Sequence, residues 1–291
     1  MTQILAISGK KQGGKTTAMN FLFGSAMKSL ELVDYAHINE NGDLIVPGIG
    51  NNDEIIPIIF PVETTDSRMT QYIASNVWPS IKNYSFADML KATCINVLGL
   101  TTEQCYGTNA QKDSPTHLIW KNMPGFPKSN KNQWLEKHGF EVGSDWTPNS
   151  FMTARHVLQY VGTEIFRKMY SQVWVDSSLR RVVQDQPQLA LFTDCRFPNE
   201  VEGVQAAGGK VIRFTREPFS ETDTHSSETS LDRDVYDWDN FDYVIDNADM
   251  SIAEQNEAFY NVLSGWNFIG FESLATYVEN SELLSKEAAL S

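Results

Sequence analysis

Near the N-terminus, Gly9-Lys10-Lys11-Gln12-Gly13-Gly14-Lys15-Thr16 meets the spacing G-x-x-x-x-G-K-[ST] at every fixed position. These residue types suit one task. Glycines let the backbone curl until successive N–H groups point inward at the oxygens of a phosphate. A following helix adds the positive end of its dipole. Lys15 sets a point charge against the β- and γ-phosphates of a nucleoside triphosphate, and the Thr16 hydroxyl is a ligand for Mg²⁺. A glycine-rich surface turn is the plainer reading, yet a chain of average composition meets the pattern by accident only roughly one time in a hundred. The G-x-G-x-x-G spacing of dinucleotide-binding folds is absent.

A second group sits far along the chain. The apolar run Leu189–Thr193 reads as a buried strand and leads into Asp194, Cys195 and Arg196. A carboxylate at the carboxyl end of a strand beside the phosphate loop is placed to support Mg²⁺ through its water shell. Arg196 can reach a phosphate, and Glu200 falls in the first turn of the next helix. A helix cap or a structural ion pair is the alternative for these carboxylates.

Arg155, Gln159, Gly162, Thr163 and Arg167 form R-x-x-x-Q-x-x-G-T-x-x-x-R. Positions 155, 159, 162 and 163 follow i, i+4, i+7, i+8 and share one helical face. That face is polar and carries a glycine, which costs about 1 kcal/mol against alanine inside a helix. Close approach of a ligand or of backbone explains Gly162; a simple break in the helix is the other reading. Trp174 could stack on a base, although a single tryptophan is more often core. Phe86 and Lys91 could meet a base and a phosphate, but alone they read more simply as core and surface residues.

These groups need elements to hold them. Gln3–Ile7 is an apolar strand, the glycine-rich turn follows, and Lys15–Lys28 is a helix with Ala18, Phe21 and Leu22 for a core. Residues 33–80 carry glycine and proline punctuation around strand-like pieces, Leu44–Val46 and Ile55–Phe60, and read as an insertion. Phe86–Leu98 is helical. Thr102–Asn149 reads as an irregular acceptor-side or lid-like segment at about 100–150. One or two helices fill 149–183. A helix at Asn199–Ala207 stops at Gly208-Gly209, Val211–Thr215 and Tyr243–Ile245 are strands, and Ser251–Leu263 is the final helix. A weakly patterned extension occupies 265–291. Alternating strands and helices predict a single α/β domain of three layers, a central parallel sheet flanked by helices.

Composition narrows the class. The chain of 291 residues carries a net charge of -14. Phosphate neutralisation supplies most nonspecific nucleic-acid affinity, so tight binding of DNA or RNA is not expected. Three cysteines without CxxC spacing argue against a zinc site or a disulfide framework and favour a reducing cytoplasm. Neither a signal peptide nor a membrane span is expected.

Taken together, the residues resemble the deoxynucleoside monophosphate kinases of tailed phages. The blocks that carry the resemblance are ISGKKQGGKTT at 7–17, YSFADMLK at 84–91, ARHVLQYVGTEIFRKMYSQVW at 154–174, FTDCRFPNE at 192–200, GGKVIRFTR at 208–216, DTHSSE at 223–228 and YVIDN at 243–247. The resemblance implies a P-loop kinase that uses ATP and Mg²⁺ in the infected host's cytoplasm and phosphorylates a deoxynucleotide. It places Gly9, Gln12, Gly13, Gly14, Lys15, Thr16 and Thr17 on the ATP phosphates. It places Lys11, Ser85, Phe86, Lys91, Arg155, Gly162, Thr163, Trp174, Asp194, Arg196 and Glu200 around the acceptor. Lys15, Arg155, Arg196 and Asp194 would carry the catalysis, with Mg²⁺ on Thr16 and, through water, on Asp194. His225 and Glu228 match a motif without a physical role. The insertion and the tail leave base preference and a homodimer open.

An acceptor phosphate is already anionic and needs positioning rather than a strong base. Two competing readings keep the loop: a kinase acting on a hydroxymethylated base within DNA, which would require a carboxylate base such as Asp194 or Glu200, and a nucleotide-gated ATPase without a small acceptor. A kinase of another small metabolite, such as a coenzyme A precursor or phosphomevalonate, is a further variant.

Overall fold

The computed structural model describes residues 2–50, 53–64, 66–218 and 229–268. Strand β1 (Gln3–Ser8) feeds the phosphate loop and α1 (Lys15–Ser29). An inserted unit follows: β2 (His37–Ile38), β3 (Leu44–Ile49), β4 (Ile55–Ile59) and α2 (Ser67–Asn76). Next come β5 (Ile81–Tyr84) and α3 (Asp88–Asn96). The segment after them holds α4 (Thr102–Tyr106), α5 (Asn109–Lys112), β6 (Pro115–Ile119), α6 (Lys131–Lys137) and β7 (Phe151–Thr153). Helix α7 (Ala154–Gln159) runs on as a π-helical stretch, Tyr160–Arg167. The chain closes with α8 (Val173–Asp185), β8 (Leu189–Cys195), α9 (Pro198–Ala206), β9 (Lys210–Phe214), β10 (Tyr243–Ile245) and α10 (Ile252–Gly265).

The central sheet has the order β10-β9-β1-β8-β5, and every pairing in it is parallel. Side chains alternate across a strand, so β1 serves two layers. Leu5 and Ile7 pack with Phe21 and Met27 of α1 and Phe259 and Leu263 of α10. Ile4 and Ala6 pack with Val182 of α8 and Val201 and Val204 of α9. This is the three-layer α/β architecture expected from the alternation of elements. Because β1 is flanked by β8 on one side and β9 on the other, the chain's winding reverses there, and open parallel sheets place their ligand crevice beyond the carboxyl ends at that point.

Two expectations change. Strand β5 was not anticipated: Ile81–Tyr84 is short and has polar Lys82 and Asn83 at its centre, which an edge position allows. The segment 102–149 is not irregular. Trp120 is fully buried against Phe126, Phe140 and Trp146, forming a satellite core. Its helices are too short for apolar periodicity to register. Capping boxes start two of them instead, Thr101 with Gln104 and Thr108 with Gln111.

The inserted unit does form β-structure, an antiparallel sheet β2-β3-β4. Its β2–β3 turn docks on α1, where Asn20 Nδ2 donates to Gly42 O at 2.8 Å. No helix among the described residues is long and apolar enough to cross a membrane. The extension beyond residue 268 and the motif positions His225 and Glu228 lie outside the described residues.

Candidate functional site

The phosphate loop links β1 to α1. Gly14 caps α1 in a left-handed conformation, φ 95°, and a Cβ there would sit 2.1 Å from Gln255 Oε1. Gln12 also adopts positive φ, 57°. Lys15 Nζ lies across the loop and donates to Gly9 O at 2.7 Å and Lys10 O at 2.6 Å. Burial, with Arg196 and Arg213 nearby, lowers the Lys15 pKa to about 7. A buried ammonium facing two guanidiniums is a strong attractor for an anion. Thr16 is exposed at the start of α1. Thr17 turns elsewhere, towards the inserted unit: a Cβ on Gly42 would meet its hydroxyl at 2.4 Å.

Asp194 leaves the carboxyl end of β8 one position before Cys195, which pairs with Ser8 of β1. Its carboxylate accepts from the Ser85 hydroxyl and, at 3.2 Å, from Phe86 N. It is therefore aimed by the β5–α3 turn. Glu200 is buried and caps α9, accepting from Arg196 N at 2.7 Å and Phe197 N at 3.0 Å. Its other oxygen accepts from Arg167 at 2.7 Å.

A cleft of about 1700 Å³ opens beside the loop. Lys10 and Lys11 come to its wall from the loop. All eleven acceptor-side residues named from sequence line it, from Lys11 and Ser85 through Arg155 and Trp174 to Arg196 and Glu200. The polar helix face reaches it through Arg155, Gln159, Gly162, Thr163 and Arg167. On an α-helix, residues twelve apart would diverge by about 120°. The π-helical stretch Tyr160–Arg167 widens the turn, and Arg167 stays on the cleft side. Gly162 does not break the helix. A Cβ there would touch Leu90 Cδ2 at 2.8 Å, so a side chain makes the close approach. Trp174 is 4% exposed and donates its indole N–H to Gly162 O at 3.2 Å. Phe86 is stacked on Phe192 at 4.5 Å.

Several cleft residues gave no usable sequence signal. Lys112, on α5, has its pKa lowered by burial and by Lys91, Arg155 and Arg196. Four cations thus converge on one wall. Arg155 is held by Asp113 at 2.6 Å and by Asn109 at 3.1 Å. Glu63 enters from the inserted unit, bound by Asn83 at 2.7 Å, and burial raises its pKa. Asn247 and Gln255 contact the back of the phosphate loop. Asn247 closes the quoted block YVIDN, whereas nothing in the sequence marks Gln255.

Thr16 and Asp194 offer hard oxygen donors on adjoining elements, the set Mg²⁺ takes when phosphates and water complete its shell. The described residues hold no cluster of three or more His, Cys, Asp or Glu able to bind a metal alone.

Comparison with known proteins identifies relatives. The profile of a family described as deoxynucleotide monophosphate kinase matches residues 126–256, a span that includes the polar helix, Asp194, Arg196 and Asn247. A protein of Acanthamoeba polyphaga mimivirus, provisionally named deoxynucleotide monophosphate kinase, is 30% identical over 147 residues, covering 50% of this chain and 67% of that protein. The deoxynucleoside-5'-monophosphate kinase of Escherichia phage T5 is 40% identical over 53 residues, covering 18% of this chain and 21% of that enzyme. The chain belongs to the deoxynucleotide monophosphate kinase family.

Proposed function

We propose that the chain transfers the γ-phosphoryl group of ATP, bound with Mg²⁺, to the 5′-phosphate of a deoxynucleoside monophosphate. The observation that carries this reading is one cleft that brings Lys10 and Lys11 of the phosphate loop to Arg155, Arg196, Lys91 and Lys112 from distant elements. Two phosphorylated molecules can meet there, one in the loop and one on the cationic wall.

The residues divide the work. Backbone N–H groups of residues 9–16 and Lys15 hold the donor phosphates. Lys11, Arg155 and Arg196 hold the acceptor phosphate in line and offset charge on the group in transit. Thr16 and Asp194 would hold Mg²⁺, which supplies charge neutralisation between the donor oxygens. The acceptor oxygen is anionic at neutral pH, so no general base is required. Glu200 and Asp194 accept backbone or hydroxyl hydrogens and aim their neighbours.

A coupled assay of ADP release, run with ATP against each deoxynucleoside and ribonucleoside monophosphate and against hydroxymethylated DNA, tests the reading. Acceptor-dependent ADP release with deoxynucleotides is expected. Release independent of any acceptor, or label passing only into DNA, would overturn it.

A further inference from the structure

An anion-binding loop works only when its N–H groups face inward, and that requires something to hold its carbonyls outward. Two of those carbonyls are held by side chains from the far end of the chain. Asn247 Nδ2 donates to Gly13 O at 2.9 Å, and Gln255 Nε2 donates at 3.2 Å to Gly14 O, the carbonyl that also accepts the first helical bond of α1 from Ala18 N at 3.0 Å. The two amides are also joined, Asn247 Nδ2 to Gln255 Oε1 at 2.7 Å. Asn247 is fully buried and Gln255 is 1% exposed.

The orientation of both amides follows from their partners. The backbone N–H of Arg216 is only a donor, and it meets Asn247 Oδ1 at 2.9 Å. Asn247 Nδ2 must therefore face Gly13 O, which is only an acceptor. With Nδ2 so placed, Gln255 has to turn Oε1 towards it and Nε2 towards Gly14 O. Arg216 completes the brace, donating from Nε to Asn247 O at 3.0 Å and from its guanidinium to Met250 O. The same packing explains why residue 14 has no side chain, since Gln255 Oε1 occupies the Cβ space.

We infer that Asn247 and Gln255 are positioning residues for the donor nucleotide: Asn247 fixes the Gly13 carbonyl outward, Gln255 holds the Asn247 amide and clamps the Gly14 carbonyl beside its helical bond, and together they keep the loop in shape for a triphosphate. Neither lines the acceptor cleft, and both bond loop carbonyls, so their influence is expected on the donor. The inference rests on the reading of the loop as the ATP site.

Gln255→Met conserves volume and removes only the hydrogen bonds. Asn247→Asp keeps the acceptor for Arg216 N and replaces the donor with a carboxylate facing Gly13 O. Both are measured for KM towards ATP and towards the acceptor, for binding of a fluorescent ADP analogue without acceptor, and for melting midpoint. The expected result is about tenfold weaker ATP KM and ADP-analogue binding for Gln255→Met, the equivalent of one charge-free hydrogen bond. A larger loss is expected for Asn247→Asp, with acceptor KM within twofold of the parent in both. Unchanged ADP-analogue binding in Gln255→Met overturns the inference. So does a parallel rise in both KM values with a lowered melting midpoint, which would assign the side chain to the fold alone. If Asn247→Asp does not fold, Gln255→Met decides. A parent protein that binds the ADP analogue yet phosphorylates no deoxynucleotide would instead sink the proposed function and leave the inference standing.

Discussion

Arg167 and Glu200 form a 2.7 Å ion pair between the end of the π-helical stretch and the first turn of α9. The pair does more than join two elements. The second oxygen of Glu200 accepts from Arg196 N, and the Arg167 guanidinium lies 3.9 Å over the Phe197 ring. The backbone from which Arg196 projects is thus gripped from two sides. Glu200→Gln preserves an acceptor for the α9 cap but sets an amide against Arg167. Breaking a buried pair by removing one partner costs about 3 kcal/mol or more. A loss of that size in urea unfolding is expected, and a loss below about 1 kcal/mol would mean that the pair contributes no more than a surface contact.

Lys15 gives the site a pH dependence whose sign can be worked out. In the free protein its pKa falls to about 7, through burial first and then Arg196 and Arg213. Triphosphate beside it favours the charged form and raises that pKa. Binding above pH 7 therefore takes up a proton, and affinity falls as pH rises from about 7 towards the pKa of the complex. Calorimetry at pH 8 in two buffers of unequal ionisation heat should report net proton uptake for the parent and none for Lys15→Arg, whose side chain stays charged. Without nucleotide the shift acts on stability in the opposite sense. The penalty for burying the ammonium is complete below the folded pKa of about 7 and disappears above the unfolded value of 10.5.

Lys112 tests whether the cationic wall serves the acceptor. It shares the cleft with Lys91, Arg155 and Arg196, which together with burial hold its pKa down. Such a group gains most from a bound anion. Lys112→Ala should raise acceptor KM about thirtyfold, the effect of one charge-assisted hydrogen bond of about 2 kcal/mol, while ATP KM stays within twofold. Initial rates at varied concentrations of each substrate separate the two. Arg155→Ala and Arg196→Ala should cut turnover further, by about 10³, and full activity in both would remove the arginines from the mechanism.

The parts of this site legible in the sequence were those with local grammar. The phosphate loop is eight consecutive residues with one function per position. The run Leu189–Thr193 ending at Asp194 announces a buried strand with a polar tip, and the 155–163 spacing announces a polar helical face. What was not legible depends on distance in sequence. Lys112 sits on a single helical turn, Asn109–Lys112, too short for any period. Asn247 and Gln255 reach Gly13 and Gly14 across more than 230 residues, and an amide inside a helix, as Gln255 is, looks the same whether it faces water or a loop carbonyl. The π-helical turn was likewise hidden, because its sequence reads as ordinary amphipathic helix.

Trp174 separates a structural role from a substrate role. Its indole N–H donates to Gly162 O, one of the carbonyls of the π-helical stretch, and its ring packs on Phe166 at 5.2 Å. The side chain is buried, although it forms part of the cleft wall. Trp174→Phe keeps an aromatic ring and removes the donor, leaving the buried Gly162 carbonyl without that partner. Losing one neutral hydrogen bond costs about 1 kcal/mol, so the melting midpoint should fall. If the tryptophan acts mainly as a prop for the helix that carries Thr163 and Arg167, acceptor KM should change less than threefold, and equally for purine and pyrimidine deoxynucleotides. A base stacked directly on the indole predicts the reverse, an intact midpoint with a loss in acceptor KM that is larger for purines, because their stacking area is greater. Melting curves and KM values for the two base classes decide between these outcomes.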